Sequence, residues 1–195
     1  NPAGVFLAQP WRTSSNFNFT HGNITLGGWQ LVTDSTSAVT GASQSTGWID
    51  SPQTRRVTAN GPVHFDVGDS ANYLPMDVDM HAVTGPGYVL GGTIAWDNYD
   101  IARAQLDLAH LVHRTWYVSP SNDFGNVLPP TYFGDLDATF LFRPSDVDPG
   151  SDPLQFEMRQ DFSNAVPWRA TTPGIRTAIS TQALGDSQFR MATRP

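Results

Sequence analysis

The chain has no cysteine and no lysine, and only one glutamate, Glu157, among its 195 residues. Without cysteine there is no disulfide, no thiol nucleophile and no thiolate-bound zinc or iron–sulfur centre. The near-loss of Glu and Lys, two good helix formers, beside 17 Gly and 15 Pro argues against a helical bundle. No run approaches the ~18 apolar residues that a membrane-spanning helix needs. Cations are scarce as well. Eleven arginines face 18 acidic residues, a net charge of −7, which disfavours general binding to a phosphate backbone. There is no Gly-x-Ser-x-Gly elbow, P-loop or dinucleotide-binding glycine pattern, and Gly85-Pro86-Gly87 reads as a turn. Asn1-Pro2 opens the chain without a charged or apolar leader, as expected of a processed product or an excerpt.

What is present points to strands. Val63, Phe65 and Val67 alternate with His64 and Asp66, and Met76, Val78 and Met80 alternate with Asp77, Asp79 and His81. A period of two marks half-buried strands, and the turn-rich connector 68–75 predicts that these two pair. Further strands are expected at 28–32, 88–96, 115–118, 136–143, 154–159 and 175–179. Gly91-Gly92 inside one of them suggests a bulge or a close approach of backbone. Residues 34–46 read as a loop. One window has a different period: Ile101, Ala104, Leu108, Leu111 and Val112 share a face at 100° per residue, opposite Arg103, Asp107, His110 and Arg114. That predicts an amphipathic helix over about 100–114. No repeat of fixed period is found, which argues against a solenoid or propeller.

The expected fold is mainly β: an antiparallel β-sandwich or jelly roll with one inserted helix. It divides into an extended N-terminal arm (1–28), a sandwich domain (29–183) and a C-terminal tail (184–195).

Three clusters invite a metal. His64, Asp66, Asp77, Asp79 and His81 would lie on one sheet face if their strands pair, offering imidazole and carboxylate ligands for zinc, manganese or iron. An ordinary solvated face is the simpler reading. Asp146, Asp148 and Asp152 have oxygen ligands at short spacing, but Gly150 stands one position early for a calcium loop and no Glu closes it, so a polar turn is favoured. His110 and His113, three apart on the expected helix, lack a third ligand. No cofactor is implied. Two matches to the N-glycosylation pattern, Asn18-Phe19-Thr20 and Asn23-Ile24-Thr25, matter only on a eukaryotic secretory route.

With no persuasive catalytic set, the expected function is non-enzymatic: a structural protein packing against copies of itself and neighbouring structural proteins. By analogy of fold and composition this suggests a virion component (a capsid, decoration or tail protein of a virus or phage), located in the virion or extracellular. Contacts are expected at Phe17 and Phe19 of the arm and at Phe124, Tyr132 and Phe133 of the long 119–135 loop. Deleting residues 1–20 should then weaken assembly and leave the fold intact. Two alternatives are a carbohydrate- or surface-binding module using exposed aromatics, and a metal-dependent hydrolase built on the His64/Asp66/Asp77/Asp79/His81 face.

Overall fold

A computed structural model describes residues 4–50, 52–95, 109–121, 134–160 and 168–186. Its N-terminal part is a β-solenoid with parallel sheets. The first rung consists of β1 (Val5–Phe6), β2 (Trp11–Thr13) and β3 (Phe17–Asn18). The second consists of β4 (Ile24–Thr25), β5 (Leu31–Thr33) and β6 (Val39–Thr40). A third begins with β7 (Ile49–Asp50) and β8 (Gln53–Val57). Successive rungs pair in parallel: β1 on β4 on β7, β2 on β5 on β8, and β3 on β6. The segment expected as an arm, 1–28, therefore contains the whole first rung and the start of the second.

The stack is held by what points inward. Ile24, Leu31 and Ile49 are buried, and Gln53 sits among them with both ends of its amide engaged. Its Nε2 donates to Thr33 Oγ1 at 3.0 Å, and its Oε1 accepts the Asp66 N–H at 3.3 Å. A buried amide that finds both partners fixes the register of adjacent rungs, since a one-residue slip would orphan it.

After β8 the chain leaves the stack. β9 (Gly61–Phe65) turns back, and β10 (Val67–Gly68) rejoins it in parallel beside β7. β11 (Met76–His81), β12 (Gly87–Ala95), β13 (Arg114–Ser121) and β14 (Asp135–Leu141) follow. Two 3-10 turns at Pro144–Asp146 and Pro153–Gln155 lead to β15 (Arg159–Gln160), β16 (Arg169–Ala170), β17 (Thr172–Thr177) and β18 (Ser180–Asp186). Antiparallel strands extend one solenoid wall in the order β13-β12-β8-β5-β2, and a second sheet runs β17-β18-β14-β11-β9. A single core runs from Leu7 and Ile24 through Phe65 and Met76 to Phe140 and Ala183.

Several expectations are corrected, the argument against a solenoid among them. The fold is not an antiparallel sandwich or jelly roll, because the N-terminal strands stack in parallel, rung on rung, at unequal spacings (Val5 to Ile24, Ile24 to Ile49, Ile49 to Val67). No helix forms over 109–114: Val112 bridges to Val147 and Arg114 opens β13, while residues 100–108 lie outside the described residues. The expected loop 34–46 contains β6, and the 154–159 strand is replaced by a 3-10 turn followed by β15. Gly91 and Gly92 do mark close approach. A Cβ on Gly91 would lie 2.7 Å from the Phe65 ring, and one on Gly92 would lie 2.7 Å from the Tyr117 ring.

Candidate functional site

The residues that align through the solenoid form inward-facing columns, because partners in a parallel ladder present their side chains to the same side. Burial along these columns fails at one end. In the first column Val67 and Ile49 are 0% exposed and Ile24 is 7%, but Val5 is 51%. In the second, Leu31 is 0% and Trp11 is 39%. Among the described residues none is stacked on the first rung, and its inward-facing side chains are partly exposed there.

The main chain there is open too. The Val5 and Leu7 N–H groups donate to Asn23 and Thr25 carbonyls (2.7 and 2.9 Å), and the Phe17 and Phe19 N–H groups to Ala38 and Thr40 (3.1 and 2.8 Å). Alternation along a strand then turns the main-chain groups of Phe6 and Asn18 toward the uncovered side. An aromatic chain lies over the opening. Trp11 and Phe17 have ring centroids 5.9 Å apart, and Phe17 and Phe19 5.7 Å, with Phe19 buried and Phe17 half-buried. Of the residues expected to make contacts, Phe17 and Phe19 thus help close the first rung, while Phe124, Tyr132 and Phe133 lie outside the described residues. Val5, Phe6 and Trp11 were not singled out by the sequence.

The histidine–aspartate face forms only in part. β9 and β11 pair antiparallel as expected, with His64 opposite Asp77. His64 Nδ1 lies 2.6 Å from Asp77 Oδ1, and Nε2 lies 3.3 Å from Asp66 Oδ1. Asp66 also accepts the Tyr73 hydroxyl at 3.0 Å, and burial together with the Asp66 charge pushes the Tyr73 phenol up. Asp79 stands opposite Asp137, and His81 Nε2 lies 3.4 Å from Asp137 Oδ2. The five residues do not converge on a point, and no group of three or more is placed to hold a metal among the described residues. Both ring nitrogens of His64 face carboxylates, so the ring has no lone pair left for a metal.

Those two contacts, Asp66 first and Asp77 second, raise the His64 pKa from 6.5 to about 9 against the opposing effect of burial. A raised native pKa adds stability that is complete below about 6.5 and is lost as pH climbs through about 9. The His64 ring should therefore titrate near pH 9 by NMR. A His64→Asn variant should lack the fall in stability that the native protein shows across that window.

The Asp146–Asp152 segment is a polar turn whose carboxylates serve internal donors. Asp148 takes His113 Nε2 at 2.8 Å and the Leu111 N–H at 2.9 Å, which hold it below the usual carboxylate range. Asp152 caps the second 3-10 turn by accepting the Leu154 N–H at 3.0 Å. Asp146 forks onto Arg114, with Nε to Oδ2 at 2.8 Å and a second nitrogen to Oδ1 at 3.0 Å. The same buried guanidinium meets Asp69 Oδ2 at 2.9 Å. His113 is thus paired with Asp148, and His110 is exposed beside it.

Trp48 and Trp116 are buried, whereas Trp11 and Trp29 face solvent. No helix among the described residues is long and apolar enough to cross a membrane. No protein family, curated protein or solved structure matches the chain.

Proposed function

We propose that this chain is a non-enzymatic structural protein that packs into a larger assembly through the open first rung of its solenoid. The column from Val67 to Val5 supports the reading: among the described residues burial is complete at one side of the stack and half lost at the first rung, so Val5 and Trp11, with Phe6 beside them, present apolar surface that a contact would cover. The polar clusters support the same reading, because each is spent on internal pairs: His64 on Asp66 and Asp77, His113 on Asp148, and Arg114 on Asp69 and Asp146.

The capsid, virion and phage assignment does not carry over. It rested on composition and on analogy with sandwich and jelly-roll folds; the solenoid removes the fold analogy, and composition alone does not carry it.

Light scattering over a concentration series tests the reading, with imaging of any particle found. Molar masses at multiples of the monomer are expected at micromolar concentration. A monomer at every concentration would overturn it.

A further inference from the structure

Beyond that reading, we infer that the outer side of the wall formed by β1, β4, β7 and β10 carries a binding shelf for a linear, neutral glycan, built from Phe6, Thr25 and Asp50. Val5, Ile24 and Ile49 point into the stack. Phe6, Thr25 and Asp50 follow them in register and, by alternation, point out of it. The shelf thus lies on the face of the wall, apart from the apolar surface that Val5 and Trp11 present at the first rung.

The Phe6 ring is 67% exposed and yet held in place, because it lies against the main chain of Gly27, where a Cβ would run into it. Trp29 is exposed at the same turn, and among the described residues nothing lies within 4 Å of a Cβ placed on Gly28 between them. A fixed, uncovered aromatic ring is a stacking surface for the C–H face of a sugar. Asp50 supplies the polar half. Its carboxylate is half-buried and meets no hydrogen-bond donor among the described residues, and burial, then the Asp69 charge, push its pKa above 3.8. Asp69 is compensated by Arg114 and by the Ala71 and Asn72 N–H groups, whereas Asp50 is not. A carboxylate kept at a cost to the fold, with no internal partner, points to use by a ligand. Sugar hydroxyls are the donors it lacks, and the Thr25 hydroxyl stands one rung away to donate or accept. Rungs are about 4.8 Å apart, so Phe6 and Asp50 are separated by about 10 Å along the stack, which suits an extended chain of linked sugars. The net charge of −7 and the bare Asp50 carboxylate repel uronate and sulfated chains and admit a neutral one.

NMR titration of the full chain with cellopentaose, xylopentaose, mannopentaose, chitopentaose and laminaripentaose tests the site, with oligogalacturonate as the anionic control. At least one neutral pentaose should bind in the millimolar range or tighter, and oligogalacturonate should not bind. Phe6→Ala and Asp50→Ala should each weaken the binding about tenfold or more. Ile175→Ala, at an exposed apolar residue of β17, should bind as the native chain does. Asp50→Ala removes an uncompensated carboxylate, so urea denaturation should find it at least as stable as the native chain, which separates lost binding from lost folding. Three results would each overturn the site: no neutral pentaose binding at millimolar ligand, binding that survives both variants, or a preference for oligogalacturonate. An Asp50→Ala variant less stable than the native chain would also overturn it, because the carboxylate would then be serving the fold.

Discussion

Replacing Arg114 with alanine should cost about 3–5 kcal/mol of folding stability, the range for breaking a buried ion pair from one side. The guanidinium is almost wholly enclosed. It ties Asp69, which follows β10 at the far end of the solenoid, to Asp146 in the 3-10 turn after β14. Without it, two enclosed carboxylates face each other's field with only neutral donors left: the Ala71 and Asn72 N–H groups and the Asn72 side-chain amide on Asp69, and the Arg143 N–H on Asp146. An Arg114→Lys change should fall between native and alanine, since an ammonium keeps the charge but loses the two-pronged grip on Asp146.

The pH dependence has a definite sign. Burial pushes the Asp69 pKa up, but the Ala71 N–H and Arg114 outweigh it and hold the carboxyl below 3.8. A lowered native pKa gives stability that is present above about 3.8 and is lost as pH falls through the native value. Urea denaturation should therefore show a full gap between native and Arg114→Ala at neutral pH, narrowing toward pH 3. A gap that stayed constant would mean the loss comes from packing and not from charge.

Arg114 also shows where the sequence could be read and where it could not. Its place opposite Leu111 and Val112 at helical spacing assigned it to a solvent face, yet it lies in a strand and is buried. Local periodicity was overridden by two acids, Asp69 and Asp146, which are remote in sequence and whose proximity no local pattern encodes. The β9–β11 pair was legible because each strand is long enough to show alternation, and its cross-strand partner His64–Asp77 followed from the pleat. The rungs were not. The two- and three-residue strands of the first two rungs contain at most one full alternation, the spacings differ from rung to rung, and one inward position is the polar Gln53. A repeat defined by stacking and not by period leaves little trace in a linear sequence. The histidine–aspartate face was half legible: pairing brought His64 to Asp77, but only the folded structure shows Asp66 taking the second ring nitrogen and Asp79 drawn opposite Asp137.

Deletion of residues 1–20 discriminates between an arm and a rung. A detachable arm would leave stability unchanged. A rung contributes an interface term to the next one, as in any array of stacked repeats, and its loss should expose Ile24 and Leu31 as Val5 and Trp11 are exposed now. Fully uncovering a large apolar side chain costs about 1.5–3 kcal/mol. Because the new end residues would keep roughly half their cover, the two together should cost about 1.5–3 kcal/mol. The remaining chain should still fold, since its Gln53–Thr33 lock and the Arg114 triad lie beyond the cut. Its denaturant slope should fall with the lost area, and binding of a hydrophobic dye should rise at the freshly opened columns. Unchanged stability with unchanged slope would show that residues 5–18 do not stack on the body, and with that the open core at the first rung would cease to be a candidate contact.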